Sequence, residues 1–245
     1  MVEQGTDRDD RLNARLLDLL LEIRDPGVFL EELAVLAAAA YSGAGLRVGC
    51  GLTLMRRKKP SAVAGSDSAA AALDQLQERC HGGPSRLALR TGQTADVPDV
   101  GMEARWPLFT DAARRHGVAA ILAVPLELAD GAQGVMTLYA GQPNAFAGDR
   151  GIAAFAVHAG KALRVVLHAA ELEQAQSDMA AAMQSRTAID VATGVLMAEN
   201  RCSQDKAFDI MRRASNNRNL KLRDLARQIT GAVSAGGEVT AHFDA

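Results

Sequence analysis

Apolar residues recur at helical spacing over 12–23 (Leu12, Leu16, Leu19, Leu20, Ile23), so the chain opens with an amphipathic helix. Asp25-Pro26-Gly27 breaks that pattern, and a second helix is expected over 28–41. The pattern then shortens to a period of two. Cys50, Leu52 and Leu54 alternate with Gly49, Gly51 and Thr53, which predicts a strand over 48–55. A basic turn, Arg56-Arg57-Lys58-Lys59, joins it to a second strand over 61–65. Helices follow over 67–80 and 84–90, then a short strand over 93–97 and a helix over 106–116 stopped by Gly117. Two apolar strands, 118–128 and 134–140, are joined by a hairpin turn at Ala129-Asp130-Gly131-Ala132.

Asp149 is placed to cap one long helix, and only Gly160 and Gly194 interrupt its pattern from Ile152 to Met197. Beyond Leu163 the spacing tightens to alternating threes and fours at Leu172, Ala175, Met179, Ala182, Arg186 and Ile189. Heptad spacing of this kind predicts a parallel coiled coil with a second copy, over about 163–189. The competing reading is an amphipathic helix laid on its own domain core.

The 245 residues suffice for a sizeable core plus a smaller unit, and 48% hydrophobic content excludes wholesale disorder. No apolar run approaching the roughly 18 residues of a membrane span is evident in the pattern, and the first ten residues are polar and acidic. A soluble, cytoplasmic protein is expected. Cys50, Cys80 and Cys202 lack CxxC spacing, and five histidines lack paired spacing, so neither a disulfide framework nor a metal site is expected. No cofactor motif is present.

Charge is unevenly placed. Residues 186–230 hold nine basic side chains (Arg186, Arg201, Lys206, Arg212, Arg213, Arg218, Lys221, Arg223, Arg227) against five acids. The whole chain carries −2, so a segment at +4 leaves −6 elsewhere, the pattern of a polyanion-binding tail on an acidic body.

Within that tail, Arg186, Ile189, Ala192, Gly194, Leu196, Met197, Ser203, Ala207, Phe208, Met211, Arg212, Ala214, Leu222 and Ala226 follow one another as in the ANTAR domain. The segment resembles this RNA-binding module of transcription antitermination regulators across three successive helices. Thr193 departs from the pattern, standing where many members carry Lys. Ahead of it, Ala88-Leu-Arg-Thr-Gly-Gln93 with Asp96-Val-Pro-Asp99, and Ala123-Val-Pro-Leu126 with Gly134-Val-Met-Thr-Leu138, resemble the GAF domain. The fold class implied is α+β: a GAF sensor over 12–167, an antiparallel sheet of about five strands with helices, joined by a coiled-coil-like helix to an all-α, three-helix ANTAR domain over 171–235.

The resemblance implies a regulator that binds tandem hairpins in nascent transcripts and promotes antitermination, without enzymatic activity. The candidate RNA-binding residues are Arg186, Arg212, Arg213, Asn216, Asn217, Arg218, Lys221 and Arg223, guanidinium and ammonium groups for phosphates and carboxamides for base edges. Ile189, Ala192, Leu196, Met197, Ala207, Phe208, Met211, Leu222, Leu225 and Ile229 are assigned to the core that holds them, and Ser203 to a helix cap. A small-molecule pocket in the GAF region is expected around Cys50, Leu52, Trp106 and Val124. The alternative is a GAF-based redox or ligand sensor, or an enzyme akin to the free-methionine sulfoxide reductases, whose helical tail serves only for dimerisation. This chain lacks the paired Cys motif of that subfamily.

Overall fold

The computed structural model describes residues 2–43, 45–56, 59–128 and 131–234. The basic turn at Arg57-Lys58, the first two residues of the 129–132 hairpin turn and the last residue of the expected ANTAR range lie outside the described residues. The chain divides into two compact units, Met1–Glu171 and Leu172–Ala245.

In the first unit, α1 (Val2–Glu22) and α2 (Pro26–Tyr41) precede a hairpin, β1 (Val48–Arg56) and β2 (Lys59–Gly65). Then come α3 (Ser68–Cys80), α4 (Pro84–Thr91), β3 (Ala95–Val97), α5 (Pro107–Arg115), β4 (Ala120–Leu126) and β5 (Gln133–Ala140). The five strands form one sheet in the order β2-β1-β5-β4-β3, and every pairing is antiparallel. The α+β architecture expected from the sequence is therefore present.

Polar caps start the helices where the sequence places them. The Asp25 carboxylate accepts from the backbone N–H of Gly27 and Val28, with Pro26 in the first turn, and Asp67 accepts from Ala70. Asp149 accepts from Gly151 at 2.9 Å, and both its oxygens bind Arg8 from α1. It opens α6 (Gly151–Asn200), a single helix of 50 residues.

Strand alternation gives the sheet two different faces. Cys50, Leu52, Leu54, Val124, Met136 and Leu138 point to one side and pack with Leu12 and Leu16 of α1, Phe29, Leu30 and Leu33 of α2, and Ile152, Phe155, Ala159 and Leu163 of α6. Ile121 and Tyr139 point to the other side, against Leu73 of α3 and Phe109 of α5. Each fully buried Leu or Phe there contributes about 1.5–3 kcal/mol of transfer free energy. An 18-residue window of α6 has a mean hydropathy of 1.3, which amends the expectation that no run reaches membrane-span length. Half of that window is buried in the protein, as in the core helix of a water-soluble domain.

The second sheet face also holds a polar cluster. Asp74 of α3 is fully buried and accepts hydrogen bonds from Thr53 (3.3 Å), Gln77 (3.2 Å) and the Tyr139 hydroxyl. Gln77 also donates to Tyr139 at 2.9 Å and accepts from the Ser85 backbone N–H at 2.8 Å. The backbone makes room for both side chains. A Cβ on Gly51 would lie 2.3 Å from an Asp74 oxygen, and one on Gly83, where φ is +136°, 2.3 Å from the Gln77 carbonyl oxygen.

Burial pushes the Asp74 carboxyl up to about 7 against the hydrogen bonds that favour its charged form. Because the folded-state value exceeds the ordinary 3.8, the folded chain holds a proton that the unfolded chain releases between those limits. Stability from this group is fully present below about pH 4 and is lost as pH rises to about 7, then levels off. The thermal midpoint of the first unit should fall over that window. Asp74→Asn, which stays neutral, should flatten the dependence when melting is followed at matched ionic strength; an equal slope in both proteins would exclude Asp74 as its source.

Candidate nucleic-acid interface

The C-terminal half of α6 packs with α7 (Gln204–Asn217) and α8 (Leu222–Ser234) around Ala192, Leu196, Ala207, Met211, Ala214, Leu225, Ala226 and Ile229. The spacing is three or four residues in α6 and α7, and in α8 Leu225 and Ala226 lie four and three residues before Ile229, so each helix contributes one apolar stripe. Ile189, Met197 and Leu222 line the edge of this core. Phe208 does not join it: the residue is 38% exposed, against the expectation that it is a core residue. Thr193 is 4% exposed and donates its hydroxyl to the Ile189 carbonyl at 2.7 Å, so the position that departs from the ANTAR pattern is internal to the unit.

Two tight corners set the helices. Arg201 takes a left-handed conformation (φ 50°) before α7, and Asn200 donates to the Leu196 carbonyl, closing the end of α6. Ser203 has the backbone geometry of a cap, but its side chain makes no capping bond. After α7, Asn219 is left-handed (φ 51°), while the Ser215 hydroxyl donates to the Leu220 carbonyl at 2.6 Å and the Ser215 carbonyl accepts from the Leu220 N–H at 3.0 Å. This corner fixes Lys221 at the entrance of α8, where its carbonyl accepts from Asp224 and Leu225.

All eight sequence-selected residues are exposed. Arg212 pairs with Asp209 at 2.9 Å, Arg223 lies 3.7 Å from Asp224, and Arg186 lies 3.9 Å from Asp190 at 86% side-chain exposure. Such exposed pairs contribute about 0–1 kcal/mol and exchange readily for another anion. Arg213 and Lys221 face no acid among the described residues, and the Asn216 and Asn217 carboxamides make no hydrogen bond among them.

Helical geometry divides the α7 residues between two flanks. Arg212 and Asn216, four apart, share one side; Arg213 and Asn217, four apart, share another about 100° away. Lys206, not selected from the sequence, is exposed and stands seven residues before Arg213, on its flank. The α7–α8 corner brings Arg218, Lys221 and Arg223 near the C-terminal end of α7, whereas Arg186 stands on α6, with Asp190 at 3.9 Å.

The pocket residues fare differently. Cys50 and Leu52 are fully buried and Val124 is 6% exposed, all in the core against α1, α2 and α6, while Trp106 belongs to the cluster on the opposite sheet face. Strand alternation therefore keeps the four from lining one cavity. A cleft of about 180 Å³ does open on the α3–α5 side, beside Tyr139, Leu73, Val118 and His116. Burial, with the nearby Asp74 charge, pushes the Cys50 thiol well above its usual value, which suppresses the thiolate that redox chemistry requires.

No curated protein matches the sequence. Among solved structures, a free methionine-R-sulfoxide reductase from Neisseria meningitidis is similar at 16% identity and a TM-score of 0.47, covering 67% of this chain and 91% of that one. The GAF domain of a phosphoenolpyruvate-protein phosphotransferase from Acinetobacter is similar at 12% identity and 0.47, covering 68% and 97%. An RNA-binding light-oxygen-voltage receptor is similar at 19% identity and 0.26, covering 76% and 48%. Likenesses at this level carry no functional argument. Residues 177–229, spanning the three helices just described, match the ANTAR domain. The chain thus carries an ANTAR domain over 177–229, following a unit built on a five-stranded antiparallel sheet.

Proposed function

We propose that the protein is a transcription regulator whose ANTAR domain binds tandem hairpins in a nascent transcript and promotes antitermination, under control of the GAF-like unit. The observation that carries this reading is a cationic surface only partly compensated by its own acids: Arg213 and Lys221 face no acid, beside the unengaged carboxamides of Asn216 and Asn217, among the described residues. Unpaired cations retain their full attraction for phosphate, and free amides can meet base edges in a loop. Arg186, Arg212, Arg218 and Arg223 complete the proposed surface. The input is taken to be a small molecule or protein acting on the sheet unit; a small ligand would enter the cleft beside Tyr139, because the space around Cys50 is filled. A regulator of this kind works in the cytoplasm.

The same reading makes the protein a homodimer through α6. Leu163, Val166 and Leu167 are buried in the sheet unit and are unavailable to a partner, so the seam starts later than the sequence indicates. From Glu171 to Gln184 every residue of α6 is exposed, including Leu172 (53%), Met179 (66%) and Met183 (66%). An apolar stripe left uncovered by the described residues favours a second helix over the alternative of packing on the domain core.

Two measurements test these proposals. Electrophoretic binding to a two-hairpin RNA should be steeply salt dependent, with a log–log slope of roughly −0.7 per contacted single-strand phosphate and about four to six contacts per domain. Arg213→Ala or Lys221→Ala should flatten the slope by about one contact and weaken cognate and scrambled RNA alike, whereas Asn217→Ala should erode loop discrimination at a cost on the order of 1 kcal/mol. Duplex DNA binding as tightly as hairpin RNA, or a slope unmoved by the charge changes, would sink the RNA reading. In sedimentation, the wild type should run as a dimer and Met179→Asp should shift it towards monomer; equal masses for the two proteins would count against the α6 seam.

A further inference from the structure

The α7 flank that carries Arg212 and Asn216 holds a third residue with no place in the core. Phe208 precedes Arg212 by four positions and Asn216 by eight, so the three side chains line one side of the helix. Phe208 is 38% exposed and lies outside the apolar cluster formed by Ala207, Met211 and Ala214 of the same helix. Among the described residues no aromatic ring or guanidinium is stacked on it. An exposed ring, a guanidinium and a carboxamide on one line offer the three contacts that an unpaired nucleotide can take: a π-face for its base, a cation for its phosphate and an amide for its base edge.

Resting on the RNA reading above, we propose that Phe208 is a stacking platform for an unpaired base of the bound RNA, with Arg212 holding the adjoining phosphate and Asn216 reaching the base edge. The occupant is single-stranded loop RNA and not a duplex, because a base within a helix has no free face to offer the ring. Arg212 is already steered along this flank by Asp209, one turn behind it at 2.9 Å. That exposed pair is weak enough for a phosphate to replace. The other flank, with Lys206, Arg213 and Asn217, has no aromatic residue. The two sides of α7 therefore differ in kind: one stacks, and the other attracts charge.

The test uses the full chain and a two-hairpin RNA carrying 2-aminopurine in one loop, with an uninterrupted RNA duplex of equal length as control. Phe208→Leu keeps an apolar side chain and helix propensity but removes the ring; it should weaken loop-RNA binding about ten-fold or more, spare duplex binding and abolish quenching of the 2-aminopurine. Phe208→Trp should restore both affinity and quenching. If Phe208→Leu binds loop RNA like the wild type while Arg213→Ala does not, the stacking proposal falls and the RNA reading stands. If neither change alters binding, the RNA reading falls with it. Should Phe208→Leu lose helical circular dichroism, the wild-type chain decides: ultraviolet crosslinking to a loop 4-thiouridine should place the adduct on the peptide containing Phe208. An adduct confined to α8 would overturn the proposal.

Discussion

One helix has to be covered twice. The first part of α6 presents Ile152, Phe155, Ala159 and Leu163 to the sheet, and the last part presents Ala192 and Leu196 to α7 and α8. Neither apolar stripe can remain in water, since each large side chain left exposed forgoes about 1.5–3 kcal/mol. The sheet unit and the three-helix unit are the two solutions to that requirement. Residues 171–184 of α6 are all exposed, and among the described residues nothing covers the side chains of Leu172, Met179 and Met183. A lone helix of this length is marginal in water without packing, which is the physical reason for assigning it a partner.

The electrostatics follow from the same division. In the ANTAR domain the core is built from small and aliphatic residues, Ala192, Ala207, Ala214 and Ala226 with Leu196 and Leu225, so the helices approach closely and charged side chains are left outside. Local acids occupy part of the cationic surface: Asp190, Asp209 and Asp224 each sit within a turn of an Arg. Arg213 and Lys221 escape this local compensation and are thus the strongest attractors for an external anion. In the sheet unit the opposite arrangement holds, with Asp74 buried among neutral partners and driven towards protonation.

Much of this organisation was legible in the sequence, for a physical reason: stripes at spacings of three and four, breaks such as Asp25-Pro26-Gly27, and the cap Asp149 are local signals. They placed most helices to within a few residues, although α1 starts at Val2, ten residues before the expected Leu12; alternation placed β1, and apolar runs placed β4 and β5. What was not legible depends on register between distant segments. Cys50 and Trp106 both read as pocket candidates, yet pairing of Cys50 with Leu138 commits that strand face to α2 and α6, and Trp106 belongs to the other side. The Asp74 cluster joins residues up to 65 positions apart, and only the Gly51 gap opposite it hinted at a side chain pressed against the strand. Phe208 misled for a subtler reason. It sits next to Ala207, and one step of 100° around α7 turns it from the buried stripe to the flank.

That step bears on how an RNA-binding helix is specified. A stripe of Ala207, Met211 and Ala214 occupies one side of α7 and leaves the remainder free to be written independently of folding. Charges placed there cost little, since an exposed Arg or Asn neither strains the helix nor is buried. An exposed aromatic is different, because a ring left in water contributes less to stability than the same ring in the core. Covering it with a stacked base recovers part of that difference on binding. The energy comes from the ring's π-face and from water released, and neither term is screened by salt as phosphate contacts are. A domain holding both kinds of group would therefore lose the cationic share of its affinity as salt rises and keep the stacking share, so discrimination between looped and duplexed RNA should sharpen while overall binding weakens.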